Sequence, residues 1–344
     1  MAQNSTVKVR DVLWDNVKAM LIFTVVIGHM ISRYRSESEA MNTLYLCIYS
    51  FHMPAFIFVT GLMSKKTIDN HRYEKLFSYF AMYIMAKVMI WIPRTLFDGS
   101  MKYKMLSEEG APWYALAVLI FYILTMYLRR FNTKYVLAAS VFLGLISGYC
   151  VDLDGEYALA RVVSFYPFFY LAYILDITKL KAFVSKIYVR IALAIILIAT
   201  FAYIYVKNQE LKWALVIFKG KQPYIDLEEH QRLGFVYRLF WYILAIVLVI
   251  AVISLTPCIK SYFTSIGQRS LQIYVIHYGI LEFLYKGFDL DAKVRQWWPQ
   301  HYTVLIVLVA VTMVFVLSAK PIEWVIKKVI YPDAREIKEE TKRE

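Results

Sequence analysis

The stretch that most constrains this chain runs from Asp11 to Ser32, DVLWDNVKAMLIFTVVIGHMIS. From Val17 onward it is apolar enough to cross a bilayer, which takes about 20 residues. Yet it carries Asp15, Lys18 and His29. At ~100° per residue, an offset of eleven is three turns plus about 20°, so Lys18 and His29 share one helix face. Asp15 lies on the same face, three residues before Lys18, and the helical rise places His29 roughly 16 Å further along the axis. Such a stripe is costly against lipid and is expected to face the inside of a bundle.

Composition agrees. The chain is 60% hydrophobic and 17% aromatic, with a mean hydropathy of +0.49, which excludes an ordinary soluble domain of this length. The net charge of +13 is carried by short connections between apolar runs. That is the positive-inside pattern of a multi-span protein and not a nucleic-acid footprint. Cys47, Cys150 and Cys258 are widely separated and give neither a metal-ligand spacing nor a disulfide framework. The first apolar run lacks a small-residue cleavage site, so a retained span is expected and not a signal peptide.

Hydropathy predicts an all-α membrane bundle of about ten transmembrane helices, at roughly 14–33, 42–62, 76–97, 112–128, 134–150, 158–175, 187–206, 232–255, 268–287 and 302–319. Bases cluster after every second span: Lys65, Lys66, Arg72 and Lys75; Arg129, Arg130 and Lys134; Lys179, Lys181 and Lys186; Lys260; Lys320, Lys327 and Lys328. They imply a multi-pass protein of the cytoplasmic membrane with both termini in the cytoplasm. The opposite side carries an amphipathic connection at 98–111 and a mixed-charge loop at 207–231. Residues 1–320 read as one membrane domain and 321–344 as a short amphipathic and charged cytoplasmic tail. Pro54, Pro93 and Pro167 fall inside spans, where each frees a carbonyl; the resulting kinks serve either function or packing.

The second span holds Ser50-Phe51-His52-Met53-Pro54 and, further on, Thr60-Gly61 before a basic loop. Together with Asp15-x-x-Lys18 and Gly28-His29, this resembles the acyltransferase-3 family of integral membrane O-acyltransferases, in its fucose 4-O-acetylase-like branch. Trp113-Tyr114 opens a span, Arg161 precedes Phe165-Tyr166-Pro167-Phe168-Phe169, and Arg238 lies in a long apolar run. Gly267-Gln268-Arg269-Ser270-Leu271 through Tyr274 and His277 is similar to a late span of that family. The likeness covers about residues 10–320. The sequence departs from the family at two points: Lys18 stands where many relatives have arginine, and the two-arginine cytoplasmic motif survives only as Arg72-x-x-Lys75. The resemblance implies acyl transfer from cytoplasmic acyl-CoA to a hydroxyl of an extracytoplasmic glycan, with no permanently bound cofactor and no metal.

Weighed as chemistry, His29 is the expected catalytic base, because imidazole most readily accepts a proton near neutral pH. It would deprotonate the acceptor hydroxyl or, by the other route, carry the acyl group briefly. The bland alternative is an imidazole tied to a backbone carbonyl. Lys18 either holds a phosphate of CoA or pairs with Asp15. His52 and His277 either line the acyl path or cross-link helices. Lys65, Lys66, Arg72 and Lys75 either bind CoA phosphates by charge-assisted hydrogen bonds or serve topology alone. Arg94, Arg161, Arg238 and Glu282 fall in the outward halves of four spans and are expected to rim an acceptor funnel, unless the arginines simply snorkel.

The expected function is therefore O-acylation, with acetyl-CoA as donor and a cell-envelope carbohydrate or lipid-linked glycan as acceptor. Membrane lipids are the surroundings and nucleic acid is no partner. A multi-span exporter of a glycan or small solute is the alternative from another class, and a lipid-modifying acyltransferase a third.

Overall fold

Each of the ten stretches expected to span is helical in the computed structural model, which describes residues 11–99, 110–153 and 158–330. They are α1 (Val12–Ile31), α2 (Glu39–Asp69), α3 (Glu74–Asp98), α4 (Trp113–Leu128), α5 (Thr133–Ile146), α6 (Leu159–Ile174), α8 (Ile187–Val206), α10 (Gly234–Leu255), α12 (Ser270–Lys286) and α14 (Tyr302–Leu317). Five short helices were not foreseen: α7 (Ile177–Val184), α9 (Ala214–Lys219), α11 (Tyr262–Gln268), α13 (Leu290–Trp297) and α15 (Lys320–Ile330). The connection expected at 98–111 and the tail beyond residue 330 lie mostly outside the described residues. Among the described residues there is no strand.

By length and apolarity alone, α1, α2, α3, α8 and α10 can each cross a membrane. Two bent pairs can as well: α6 with α7 at 93°, and α14 with α15 at 66°. The first bend is set by Asp176, whose carboxylate accepts from the Thr178 and Lys179 amides and so starts a new helix. At the second, the Gln272 amide donates to the carbonyls of Leu317 and Ala319, which the bend leaves open. Helix α2 runs seven residues past its expected end, so Lys65 and Lys66 lie on its last turns and not in a loop.

The helices alternate in direction. At the end where α1 begins, Lys181 binds Asp11 at 2.6 Å, Tyr173 donates to Asp69, and Asn16 donates to the carbonyls of Pro257 and Ile259. At the far end, Asn42 donates to the Asn208 carbonyl and Arg295 binds Glu37 at 2.7 Å. The basic clusters between spans all fall at the first of these ends. Helices α1 and α2 are the most enclosed, packed against α6, α10, α11, α12 and α14, whereas α8 is mostly exposed along its length.

The three prolines sit inside α2, α3 and α6, and the carbonyls they free are used for packing. Pro54 leaves the Ser50 carbonyl without its helical donor, and the Trp241 indole of α10 donates to it at 3.0 Å. Pro93 frees the Met89 carbonyl, and Gly279 of α12 packs so close that a Cβ there would collide with it. The Val163 carbonyl, freed by Pro167, lies against α5 at Gly144.

Candidate active site

Between α1, α2, α3, α4 and α12 lies a cavity of about 240 Å³. Lys18 and His29 both line it, as their shared face requires, so it follows α1 for roughly three turns. Its walls are aromatic and lightly polar. The hydroxyls of Thr60 and Tyr114 meet at 2.7 Å, and Tyr79 donates to Tyr122 at 3.1 Å.

Three imidazoles gather at the far end. The His29 ring lies 5.4 Å from that of His277 and meets Tyr278 edge-on at 5.1 Å. His52 and Arg161 act on it electrostatically as well. The three rings are held differently. Nδ1 of His52 is 2.8 Å from the Ile48 carbonyl, and Nδ1 of His277 is 2.8 Å from the Tyr274 carbonyl. A carbonyl can only accept, so in both rings Nδ1 carries the proton and Nε2 is left as an acceptor. Nε2 of His277 is buried without a partner among the described residues. None of those residues bonds the His29 ring nitrogens, and the ring faces the cavity. His29 is thus not the carbonyl-tied histidine of the bland reading; His52 and His277 are tied in that way, while standing beside it.

At the other end of the cavity, Lys18 binds Asp15 at 2.7 Å and still borders the open space. Asp15 is almost wholly buried. Met63, two residues before Lys65 near the end of α2, and Tyr79, one turn after Lys75 in α3, also line the cavity, so this end of it approaches the turn between the two helices.

The four outward charges do not form one rim. Arg94 and Glu282 bind each other at 2.7 Å across α3 and α12, with Lys286 adding a second cation to Glu282 at 3.5 Å. Arg238 is 1% exposed and donates to the Gly144 carbonyl, Ser147 Oγ and Ser164 Oγ at 3.0–3.2 Å, its guanidinium stacked on Tyr224. A charge in so apolar a setting binds whatever acceptors the bundle offers. Of the four, Arg161 reaches the histidines: it lies over Trp113, a cavity residue, at 4.8 Å and acts electrostatically on His29.

Sequence reasoning missed Tyr278 and the pair Tyr45 and Tyr49, stacked at 4.0 Å, with Tyr49 edge-on to His52 at 4.6 Å. Tyrosine is common throughout the chain, and periodicity does not tell which ones meet a neighbouring helix's histidine.

A polytopic helix bundle enclosing an imidazole-headed cavity defines an integral membrane protein with an internal site. Residues 12–319 match the model of the acyltransferase-3 family, described as an acyltransferase domain, and the chain belongs to that family. It is similar to two curated proteins. Nodulation protein NolL of Sinorhizobium fredii is 27% identical over 153 residues, 38% of this chain and 40% of that protein. Nodulation protein NolL of Mesorhizobium japonicum is 27% identical over 141 residues, 36% of this chain and 37% of that protein. The matches thus span about two fifths of the length of these relatives. No solved structure matches.

Proposed function

We propose that this protein is a membrane O-acyltransferase that moves an acyl group, acetyl in the first instance, from cytoplasmic acyl-CoA to a hydroxyl of an extracytoplasmic glycan, free or lipid-linked. The observation that carries this reading is one cavity with a lysine at one end and, at the other, an imidazole that no carbonyl of the described residues restrains. Lys65 and Lys66 at the end of α2, with Arg72 and Lys75 at the start of α3, would supply phosphate partners for the nucleotide, and the aromatic cavity suits a thin pantetheine arm. The thioester carbonyl then lies near His29. As the acceptor oxygen attacks the carbonyl carbon, its proton passes to a His29 ring nitrogen, the C–S bond breaks, and the thiolate takes the proton back. His277 Nε2, an acceptor beside the ring without a partner among the described residues, would accept from the imidazolium that forms.

The direct test is turnover of labelled acetyl-CoA by the purified protein, which a simple exporter does not carry out. In the same assay, Arg72→Ala combined with Lys75→Ala is expected to raise the KM for acetyl-CoA about tenfold or more while kcat changes little. Phosphate contacts remote from the reacting carbonyl contribute uniform binding. An unchanged KM would leave these bases a purely topological role.

The proposed sidedness puts both termini and the Lys18 end of the cavity towards the cytoplasm and His29 towards the outside. Two native cysteines test it, because Cys150 and Cys258 are both exposed and lie at opposite ends of the bundle. In intact cells an impermeant thiol reagent is expected to label a variant retaining only Cys150, and to label one retaining only Cys258 after permeabilisation. The reverse pattern inverts the orientation.

A further inference from the structure

We infer that the acceptor is anionic and that Arg35, Lys219 and Lys221, together with Arg161, hold its negative group beside the histidines. This deepens the transfer reading and rests on it, for none of these residues except Arg161 had been assigned a role.

The cluster is assembled from separate parts of the chain. Arg35 belongs to the turn after α1, Lys219 ends α9, Lys221 follows Gly220, and Arg161 opens α6. Gly220 adopts φ +61°, and a Cβ there would meet Phe165, one turn along α6 from Arg161. This left-handed turn therefore presses the two lysines against the helix that carries Arg161. The buried Tyr45 ring forms the floor: Arg35 Cζ lies 5.3 Å and Lys219 Nζ 5.7 Å from its centroid. Tyr45 leads through its stacked partner Tyr49 to His52, so the cations stand at the far-end approach to the imidazoles.

Such crowding is unfavourable without a counter-charge. Among the described residues, the groups acting on Lys219 electrostatically are Arg35, Lys221 and Arg161, all cations. Burial, followed by these neighbours in that order, brings the Lys219 ammonium down to about 8. Two other cations at this end do bind carboxylates, Arg295 with Glu37 and Lys207 with Glu210. A half-buried set of cations on an aromatic floor suits a carboxylate or phosphate attached to a sugar, whose apolar ring face can lie on tyrosine. A neutral glycan offers hydroxyl acceptors but no charge to offset the repulsion around Lys219.

Two sources supply that chemistry, an acidic sugar and the pyrophosphate of a lipid carrier. The test uses the full chain in neutral detergent and, for the carrier, in phosphatidylcholine nanodiscs. Binding is measured for fluorescent trigalacturonate, for its neutral counterpart galactotriose, and for a polyprenyl pyrophosphate against the parent polyprenol. At least one anionic probe is expected to bind about tenfold or more tighter than its neutral counterpart, an advantage that shrinks with added salt. Arg35→Gln and Lys219→Gln should each remove most of it, whereas Lys212→Gln, an exposed lysine of the same connection, should not. Selectivity for trigalacturonate alone assigns an acidic sugar; selectivity for the pyrophosphate alone assigns the carrier headgroup. The inference is overturned if no anionic probe is preferred. It is overturned too if the preference survives both substitutions in folded protein, or falls equally with Lys212→Gln. Acetyl-CoA turnover of the same preparation separates the two readings: selectivity without turnover sinks the transfer reading, and turnover without selectivity sinks this one.

Discussion

Replacing His29 by alanine is expected to lower acyl transfer at least a hundredfold, because general-base catalysis typically contributes 10²–10⁴-fold. Folding should be nearly untouched. None of the described residues bonds the ring nitrogens, and the ring packs edge-on against Tyr278 at the wall of a cavity instead of filling the core. His29→Gln, which keeps hydrogen-bonding capacity but not basicity, should be as inactive. Turnover of labelled donor, measured beside the thermal unfolding midpoint, checks both halves of the expectation. If either variant keeps more than about a tenth of wild-type turnover, the base lies elsewhere, and His277 with its open Nε2 is the next residue to replace.

Arg238→Ala should behave in the opposite way, losing the fold before the chemistry. The guanidinium ties the end of α5 to α6 through Gly144, Ser147 and Ser164, and is almost fully enclosed. Truncation removes the guanidinium donor from these groups, although Ser147 Oγ still donates to the Gly144 carbonyl, and opens a void under Tyr224. Lost hydrogen bonds to a charged group, at about 1.5–3 kcal/mol each, make a total of several kcal/mol the expected cost. Donor binding and acceptor modification should therefore fall together with the unfolding midpoint. This corrects the expectation that Arg238 belongs to an acceptor rim. A variant of wild-type stability that loses acceptor modification alone would restore the residue to that role.

Much was legible in one dimension. Hydropathy located all ten long helices, because burial in lipid demands a continuous apolar run and the alternation of basic connections orders their directions. The face shared by Lys18 and His29 followed from helical periodicity within a single element, and both residues do line one cavity. The short helices escaped notice because caps and bends make them: Asp176 starts α7, and Gln272 closes the turn between α14 and α15.

What lies between helices was not legible. Arg94, Arg161, Arg238 and Glu282 looked alike as charges at one depth, yet packing gave each a different partner. Likewise, the sequence places His52 and His277 far apart, and only the crossing of α2, α1 and α12 sets them around His29. The proline-freed carbonyls became contacts because Trp241 and Gly279 arrive from other helices. The sequence by itself determined the helices, their alternation and the polar stripe, since these depend on local periodicity and on transfer from water to lipid. The tertiary structure alone decided which imidazole stays unrestrained and which cations meet, since a charge within a bundle binds the nearest group that packing provides.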